Sequence, residues 1–518
     1  MLVLGGASLA LYLPFLGNPL VFDDLPFFKL GEFQDVFIAG FSLERRWLPH
    51  FLTAWVELLF DKNSLPVQRL INLGLHLASS LTLYSLVKRI SGHVVPHVNN
   101  ERAALAAALL FLLHPLAVYA VAYLIERTIL MATLFGLLSL SAYFDGLLTR
   151  KKTYFVLSAL FYFLSAHSKE HAVLIPAVAL SMSALVGRFD RKMVVRLAFP
   201  LALFLPVFVL IVFKSTGVVG KAYEPESANF LSTHVGAADV HNVWLLSIAT
   251  QASLYFKYLL LTFFPLPAWM SIDMRVPFDD RLTNPKYLLG VGAYLVYGIT
   301  AAVLIAKGGR KALAGFALIS PWLTFGVEFS AVRIQEPFVL YRAYLWIPLL
   351  FLLVPALTNK LSGRVFWVAI LGVSIAFSAA SWDRLESFSS GFALWNDAVR
   401  KLPDRAGVPG VERAYFNRAN EYFAVRNVPA AIADYTRAIE INPSLSALYL
   451  NRAYAYWQSH DLLRAEKDVE ASIRLDSTSA QAYYLSGLIN RKNGINGKAV
   501  RDFEKACKLG LLWACKGV

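Results

Sequence analysis

Long apolar runs, separated by short polar or basic loops, form the pattern of the first 381 residues. The first run covers residues 2–16 and is short for a membrane span, so either residues 18–22 extend the helix or its true start lies upstream. Because about 20 apolar residues cross a bilayer as a helix, the pattern predicts about eleven spans. The ten later runs lie at 67–87, 103–119, 128–148, 153–167, 172–187, 197–213, 285–306, 312–329, 338–355 and 364–381.

The composition agrees with a polytopic membrane protein. The 518 residues are 57% hydrophobic and 16% charged, with a mean hydropathy of +0.52. The formal net charge of +14 raises the question of nucleic-acid binding. The Lys and Arg residues, however, lie in short loops between apolar runs, where they act as topology determinants. We therefore expect no nucleic-acid partner.

The basic loops fix a predicted orientation. Basic loops are retained in the cytoplasm, and they all lie on one side if the N-terminus is cytoplasmic. They lie at 88–102, 150–152, 188–196, 307–311 and 360–364. The first outer loop is then 17–66, the long outer loop is 214–284, and the C-terminus is outside. We expect the inner membrane of a bacterium, with the C-terminal region in the periplasm.

One segment conflicts with that count. Residues 244–264 are apolar enough to span, although Gln251 and Lys257 interrupt them. As a full span, this segment would move the basic loops at 307–311 and 360–364 to the outer side. It is therefore predicted to be an interfacial or re-entrant helix on the outer side.

After residue 381 the composition becomes that of a soluble domain, and a repeat appears. The triplet Asn417-Arg418-Ala419 recurs 34 residues later as Asn451-Arg452-Ala453, and Leu485-Ser486-Gly487 follows after the same step. This step and its small residues are typical of tetratricopeptide repeats, in which two helices per repeat stack around a groove. The sequence predicts repeats at 411–444, 445–478 and 479–512, with a linker or half repeat at 382–410. The predicted fold class is all-α: a transmembrane helical domain at 1–381, followed by a tetratricopeptide-repeat α-solenoid at 411–518.

The two cysteines of the chain, Cys507 and Cys515, lie in the last repeat. Their spacing resembles that of the disulfide-closed helical hairpins in Sel1-like repeats. A bridge would fit an oxidising outer compartment, whereas two unpaired thiols are the alternative. No His or further Cys accompanies them, so they give no metal signature.

Two adjacent carboxylates, Asp23 and Asp24, follow the first apolar run. Charges next to a membrane helix are costly unless they have a function there. Carboxylates and cations at one membrane face suit a reaction on a lipid phosphate, in which cations hold the leaving phosphate and a carboxylate takes a proton from the acceptor hydroxyl. Further candidates in the outer loops are Arg46, Glu126, Arg127, Lys169, Glu170, His171, Asp273 and Arg342.

A series of short motifs runs along the chain in a characteristic order. They are Phe22-Asp23-Asp24, Arg46-Trp47-Leu48-Pro49, Asn72-Leu73-Gly74-Leu75-His76, Leu113-His114-Pro115, Glu126-Arg127, Ser168-Lys169-Glu170, Thr250-Gln251 with Phe264-Pro265, and Tyr341-Arg342-Ala343-Tyr344-Leu345. In this order, and ending in the repeats, they resemble the C-type (GT-C) glycosyltransferases that carry tetratricopeptide repeats, such as the transmembrane-and-tetratricopeptide O-mannosyltransferases and their bacterial homologues.

That resemblance implies a polyprenyl-phosphate sugar as donor, a protein hydroxyl as acceptor and no divalent metal. It implies that Asp23 is the catalytic base and that Asp24 orients it or contacts the acceptor. It also implies donor-phosphate contacts from Arg127, Lys169 and Arg342. The chain departs from the bacterial members of that family at Glu126-Arg127-Thr128-Ile129, where they often show Gln-Arg-Ser-Glu, and at Leu340-Tyr341-Arg342, where they often show Glu-His-Arg. These changes leave the donor sugar open.

Other interpretations remain open. The same chemistry could act on a lipid or surface glycan, or the chain could be a non-enzymatic, membrane-anchored repeat scaffold that binds a partner in its groove. Asp23 and Asp24 could be a solvated loop pair or a helix cap. Glu126 with Arg127, and Lys169 with Glu170, could be interfacial ion pairs. The sequence fixes neither the sugar nor the oligomeric state.

Overall fold

The computed structural model describes residues 1–29, 41–61, 64–96, 99–187, 190–222, 242–278, 284–358, 361–403 and 408–517. Within these ranges the chain forms α-helices and 3₁₀ helices, and its one β-type contact is an isolated bridge between Ala222 and Val332. The predicted all-α class is confirmed. The chain divides into two compact units, an N-terminal unit (Met1–Ser390) and a repeat unit (Gly391–Val518). Two basic-loop positions, Arg188 and Lys360, and parts of both outer loops and of the linker lie outside the described residues.

The N-terminal unit is built from helices that run nearly continuously along the chain. Its α-helices are α1 (Leu2–Tyr12), α2 (Asp24–Lys29), α3 (Trp47–Phe60), α4 (Ser64–Val94), α5 (Asn100–Leu112), α6 (Pro115–Val121), α7 (Arg127–Thr149), α8 (Lys152–Ser168), α9 (Ile175–Val186), α10 (Arg191–Ser215), α11 (Val243–Phe263), α12 (Pro285–Ala306), α13 (Gly309–Phe325), α14 (Ala343–Trp346), α15 (Leu353–Leu357) and α16 (Gly363–Ser387). Short 3₁₀ helices join them at Leu13–Phe15, Leu124–Glu126, Glu170–Leu174, Pro267–Trp269, Gly326–Ser330, Leu340–Arg342 and Pro348–Leu352.

The predicted number of about eleven spans is not reproduced. Among the described residues, six helices are long and apolar enough to cross a membrane, and two bent helix pairs raise the number to eight if each pair is one span. The six are Ser64–Val94, Leu124–Thr149, Arg191–Ser215, Pro285–Ala306, Gly309–Ser330 and Gly363–Ser387. The other predicted spans are the first run and the runs at 153–167 and 172–187. At about 1.5 Å per residue, helices of that length fall short of a core about 30 Å thick.

Prolines account for both bent pairs. Helix α5 ends at Leu112 and α6 begins at Pro115, with a bend of 58° between them. A second bend of 50° separates Leu340–Trp346 from Pro348–Leu357. Proline lacks the N–H that would continue the helical hydrogen bonds and its ring clashes with the preceding turn, which favours a kink or break at these two positions. An apolar run in the sequence does not reveal these breaks.

Small and hydroxyl-bearing residues bring helices of the N-terminal unit together. Ser139 on α7 and Ser158 on α8 exchange hydrogen bonds, each donating its hydroxyl to the other's carbonyl at 2.9 and 2.8 Å. Tyr143 Oη lies 2.8 Å from Ser183 Oγ on α9. These contacts satisfy polar groups that are buried between apolar helices. Helices α7 and α8 thus form a hairpin on which α9 packs.

The repeat unit has the helix order that the 34-residue step predicts. Helix α17 (Gly391–Arg400) precedes three helix pairs and a final 3₁₀ segment, Leu512–Gly517. The pairs are α18 (Glu412–Ala424) with α19 (Val428–Ile441), α20 (Ser446–Gln458) with α21 (Leu462–Leu475), and α22 (Ala480–Lys492) with α23 (Asn496–Lys508). The sequence placed the start of the linker at residue 382, whereas α16 continues to Ser387.

The recurring small residues lie where paired helices touch. Ala419, Ala453 and Gly487 occupy the same repeat position, and the first two are fully buried. A side chain on Gly487 would place its Cβ 2.6 Å from the Phe503 ring, so any larger residue here would force that ring to move. The turn between the two helices of each pair contains a residue with positive φ, namely Arg426, His460 and Gly494.

A polar ladder recurs with the same step. Arg418 forms a two-pronged ion pair with Asp434 at 2.7 and 2.8 Å, and Arg452 pairs with Asp468 at 2.8 and 2.9 Å. In the third repeat Ser486 and Asn490 donate to Asp502 instead. The aspartate that recurs in the sequence therefore holds the two helices of each repeat together.

Cys507 and Cys515 form a disulfide, with their Cα atoms 5.0 Å apart. In protein isolated without reductant, we expect neither residue to react with a maleimide, because both sulfurs are bonded. Intact-mass measurement should show two added labels only after reduction. A Cys507→Ser variant is the control and should take one label without reduction, whereas two labels on the unreduced wild type would contradict the disulfide.

Candidate functional site

The adjacent carboxylates Asp23 and Asp24 have opposite environments. Asp24, the first residue of α2, is fully buried, and its carboxylate accepts hydrogen bonds from the N–H groups of Leu124 and Ile125 at 3.3 and 2.8 Å. Asp23 is exposed and accepts from the Tyr123 hydroxyl at 2.8 Å. Phe22, with φ of 52°, stacks on the Tyr123 ring and makes the turn that separates the two carboxylates. Asp23 therefore faces outward and Asp24 faces the protein.

Arg69, a residue that the sequence analysis did not single out, anchors the same turn. It lies within α4 and is buried. Its guanidinium donates to the carbonyls of Asn18, Pro19 and Ala122 at 3.0, 2.7 and 2.9 Å. Arg69 thus ties the first loop to the segment after α6. An arginine inside an apolar run was the available signal, because such a charge is rarely tolerated without a partner.

The burial of Asp24 changes its acidity. Desolvation raises the pKa of its carboxyl to about 7, although the N–H of Ile125 and the charge of Arg69 act in the opposite direction. Near neutral pH this group is therefore only partly ionised. Such a carboxyl suits a role in positioning the turn that carries Asp23.

Lys169 and Glu126 form a buried pair beside this turn. The Lys169 ammonium donates to Glu126 Oε2 at 2.5 Å and to Thr128 Oγ1 at 3.3 Å. It also lies 4.8 Å from the centre of the Tyr341 ring, whose neighbour is Tyr123 at 6.3 Å. Burial lowers the pKa of Lys169, and the Glu126 carboxylate partly restores it. Through these rings the pair is contiguous with Asp23.

Arg46 and Glu170 form a second pair, nearer to the surface. The Arg46 guanidinium donates to both Glu170 oxygens, at 3.1 and 2.5 Å, in the fork geometry typical of arginine and carboxylate. Arg46 precedes α3 with φ of 60°, and its side chain is 44% exposed. The pair keeps a cation accessible at the site.

Glu328, which the sequence analysis also missed, is the centre of a buried group that we call the Glu328 cluster. Its carboxylate lies 3.1 Å from Arg342 Nη1, 3.1 Å from His171 Nε2 and 3.6 Å from Arg333 Nε. Arg342 also donates to the carbonyl of Glu336 at 3.3 Å. A carboxylate in an apolar run was the signal for this residue. The predicted Arg342 and His171 are brought together here.

Two predicted residues lie elsewhere. Arg127 is fully buried and donates to Asn72 Oδ1, Thr53 Oγ1 and the Gln68 carbonyl at 2.8, 2.8 and 2.9 Å. These bonds engage all three guanidinium nitrogens, which favours a structural role over phosphate binding. Asp273 is buried against Arg275 at 2.8 Å.

A cavity of about 560 Å³ opens beside these charges, and we call it the basic–apolar cavity. Its polar lining contains three arginines, Arg45, Arg46 and Arg333, with His171 and two carboxylates, Glu44 and Glu170, which pair with Lys214 and Arg46. Its apolar wall is formed by Val173, Leu174, Phe208, Ile211, Val212 and Val327. Three of these wall residues belong to α10, a candidate membrane span, so one cavity combines a basic end with a lipid-compatible wall.

A bound metal is not indicated by the side chains. Among the described residues, no group of three or more His, Cys, Asp or Glu side chains is arranged to hold a metal ion. The cationic side chains of the cavity are the groups placed to hold an anion there.

Comparison with known proteins identifies the second unit. The tetratricopeptide repeat family model matches residues 412–445. The C-terminal unit contains tetratricopeptide repeats. These agree with the helix pairs, the buried small residues and the 34-residue step. The comparisons give no support for the resemblance to glycosyltransferases.

Similar proteins match a short part of the chain. Serine/threonine-protein phosphatase 5 from Homo sapiens is 35% identical over 92 residues, 18% of this chain and 18% of that protein. The E3 ubiquitin-protein ligase CHIP from Arabidopsis thaliana is 33% identical over 109 residues, 20% of this chain and 38% of that protein. The solved second TPR of Spaghetti (RPAP3), bound to the HSP90 peptide SRMEEVD, has 31% identity, covers 19% of this chain and 91% of its own, and has a TM-score of 0.19. This chain therefore spans less than half of either curated relative.

The raised pKa of Asp24 predicts a specific pH dependence. The folded state binds the proton more tightly than the unfolded state, so the contribution of Asp24 to stability is complete below about pH 4 and is lost as the pH rises to about 7. We expect the melting temperature of wild type to fall more over this range than that of Asp24→Asn, which keeps an acceptor oxygen but cannot ionise. Thermal unfolding of the detergent-solubilised chain measures both.

Asp24→Ala provides the matched comparison. It leaves the N–H groups of Leu124 and Ile125 without their acceptor, at a cost of about 1–3 kcal/mol each, so its melting temperature should be low at every pH. Parallel pH profiles for wild type and Asp24→Asn would show that the ionisation of Asp24 is not linked to folding.

The Glu328 cluster predicts a large loss of stability on removal of its carboxylate charge. Glu328→Gln leaves Arg342 and Arg333 buried without their anion, which should cost about 3–5 kcal/mol. Glu101→Gln is the control, because Glu101 is exposed and its solvent-screened pair with Lys88 should contribute little to stability. Thermal unfolding compares the two variants, and equal melting temperatures would contradict a central role for Glu328.

Proposed function

We propose that this chain is a membrane-bound glycosyltransferase that transfers a sugar from a polyprenyl phosphate to a protein hydroxyl, and that its repeats bind the protein acceptor. The observation that carries the transferase half is the basic–apolar cavity, contiguous through paired side chains with an exposed aspartate. The repeat half is supported by the family match at 412–445. Stacked repeats form extended concave surfaces that are used for protein recognition.

The cavity supports a lipid phosphate as the donor. The wall at Phe208, Ile211 and Val212 belongs to an apolar helix and suits a polyprenyl chain. The polar end offers guanidinium groups, which match phosphate oxygens in charge and geometry. Arg45 and Arg46 lie there, and Arg46 is already oriented by Glu170. We therefore place the phosphate at these arginines, beside the Glu328 cluster, in which two arginines surround one carboxylate.

The proposed reaction is a single displacement. The acceptor hydroxyl loses its proton to the Asp23 carboxylate while its oxygen forms a bond to the anomeric carbon. The bond between that carbon and the phosphate oxygen breaks, and the electron pair leaves with the polyprenyl phosphate. Guanidinium groups stabilise the negative charge on this leaving group. One displacement inverts the anomeric carbon, and Tyr123 keeps the carboxylate of Asp23 oriented.

A non-enzymatic scaffold is the second candidate, and the comparisons favour it over the transferase, because the matching family model, at residues 412–445, is a repeat family. In that function, the N-terminal unit would anchor the repeats at a membrane for assembly with a protein partner. Transfer to a lipid or surface glycan is a variant of the first function and uses the same donor site. The transferase and the scaffold make different predictions for Asp23→Asn: it should abolish function in a transferase and leave it unchanged in a scaffold.

The orientation belongs to the same proposal. We place the N-terminus in the cytoplasm and the repeats outside, where the bond between Cys507 and Cys515 would persist. Six or eight spans would return the chain to its starting side. This orientation therefore requires an odd total, which is reached if only one bent pair spans or if one of the shorter apolar helices, Leu2–Phe15 or Glu170–Val186, crosses as well.

The test is intact-mass glycoprofiling of outer-compartment proteins from a deletion strain. We expect wild type to restore a sugar-sized mass to a protein acceptor and Asp23→Asn to fail, because loss of a general base slows transfer by about 10²–10⁴-fold. Glu101→Gln, an exposed carboxylate distant in sequence from the site residues, should restore the mass.

The other outcomes separate the candidate functions. Full restoration by Asp23→Asn would overturn the catalytic assignment and leave the scaffold. Unchanged protein masses, together with a changed surface glycan, would transfer the proposal to a glycan acceptor. Membrane insertion of each variant is checked by its abundance in the membrane fraction.

A further inference from the structure

The repeat unit contains a cavity of its own, on the ends of the first helices of the three pairs. Its volume is about 550 Å³, and we call it the repeat cavity. It is lined by Phe423, Ala424, Arg426, Tyr454, Trp457, Gln458, His460 and Lys492. These residues come from the C-terminal ends of α18, α20 and α22 and from the turns that follow. The cavity therefore lies at the edge of successive repeats, where their first helices end and the turns to the second helices begin.

The two cations of the repeat cavity have no carboxylate partner. Within the described residues, no ion pair is formed by Arg426 or Lys492, and the Lys492 ammonium instead lies 3.3 Å from His460 Nδ1. By contrast, Arg418 and Arg452 are each neutralised by an aspartate. Both unpaired cations are exposed, and no Asp or Glu lines the cavity. The repeat cavity therefore has a positive local charge that an anionic ligand can reach.

Aromatic rings supply the remaining surface. Phe423 and Trp457 occupy the same position in successive repeats, and both are half-buried, as is Tyr454 between them. The Lys492 ammonium lies 5.1 Å from the centre of the Trp457 ring, so one cation is already held over an aromatic face. A ligand with one apolar side chain would cover these rings while its charges remain near the cations.

We propose that the repeat cavity binds an acidic peptide segment in which carboxylates flank an apolar or aromatic side chain. This inference rests on the proposed function of the repeats in binding a protein partner, and it names the chemistry of the segment that they select. The carboxylates pair with Arg426 and Lys492, and the apolar side chain packs on Phe423, Tyr454 and Trp457. The left-handed turns at Arg426 and His460 present these residues at equivalent places in two repeats.

The test uses the full chain in detergent and two fluorescein-labelled hexapeptides, Glu-Glu-Leu-Phe-Glu-Glu and its neutral counterpart Gln-Gln-Leu-Phe-Gln-Gln. Fluorescence anisotropy should show saturable binding of the acidic peptide, weakened by high salt because the pairing is electrostatic. The double variant Arg426→Gln/Lys492→Gln should bind it about tenfold more weakly or worse, since each lost pair is a charge-assisted contact.

Arg437→Gln is the matched control, because Arg437 is an exposed arginine of α19 that pairs with Glu440 and does not line the cavity. It should leave the affinity unchanged. Equal binding of the two peptides, equal affinity of the double variant and wild type, or no saturable binding would each overturn the proposal. Circular dichroism of the variants checks that the repeats remain folded.

A parallel experiment separates this inference from the proposed function. A photo-reactive amino acid at Gln458, an exposed cavity residue, reports protein partners in cells by cross-linking. Cross-links to a protein without binding of the acidic peptide would retain a protein-binding role for the repeats and reject the acidic segment. If the repeats neither bind the acidic peptide nor cross-link to a protein, the proposed protein-binding role is rejected as well.

Discussion

A buried polar junction between the first loop and the segment after α6 determines the geometry of the candidate site. Asp24 accepts from two backbone N–H groups of that segment, and Arg69 donates to carbonyls on both sides of the junction. Burying these groups is favourable only because each is satisfied, since an unpaired group in a low-dielectric interior costs far more than a paired one contributes. Once the junction forms, the backbone turn directs the Asp23 side chain away from the protein interior, toward the Tyr123 hydroxyl. The exposure of Asp23 is therefore a consequence of the burial of its neighbour.

The same rule sorts the cations of the site. A guanidinium whose nitrogens are all engaged, such as that of Arg127, holds helices together and has little left for a ligand. Arg342 is paired with Glu328, so it would act on a bound phosphate through its electrostatic field and not through a direct hydrogen bond. Arg46 is different, because it is oriented by one carboxylate and still exposed. Among the predicted basic residues, the one nearest the surface is thus the best placed to meet a phosphate.

The repeats were predictable from the sequence, whereas the spans and the roles of the charges were predictable only in part. A recurring small residue such as Ala453 has one structural meaning, because paired helices cannot approach with a larger side chain there. An apolar run has several, and the run at 103–119 contains Pro115, which divides it into two helices. The carboxylates at Asp23 and Asp24 were found, but their opposite environments depend on Tyr123 and Leu124, a hundred residues away. Arg69 and Glu328 were missed because they lie within apolar runs, whereas the candidate residues were taken from the outer loops.

The charges in the N-terminal unit also bear on whether that unit is only an anchor. One apolar helix is sufficient to hold a soluble domain at a membrane, and each buried charge in a helical bundle carries a desolvation penalty. This unit nevertheless buries Glu328 with two arginines, and Lys169 with Glu126, next to a cavity whose wall is apolar. Such an arrangement gains nothing for anchoring. It is intelligible if the two arginines around Glu328 create a positive field at a place where a lipid-borne anion and an exposed carboxylate meet, which is the physical argument for a transferase as well as a scaffold.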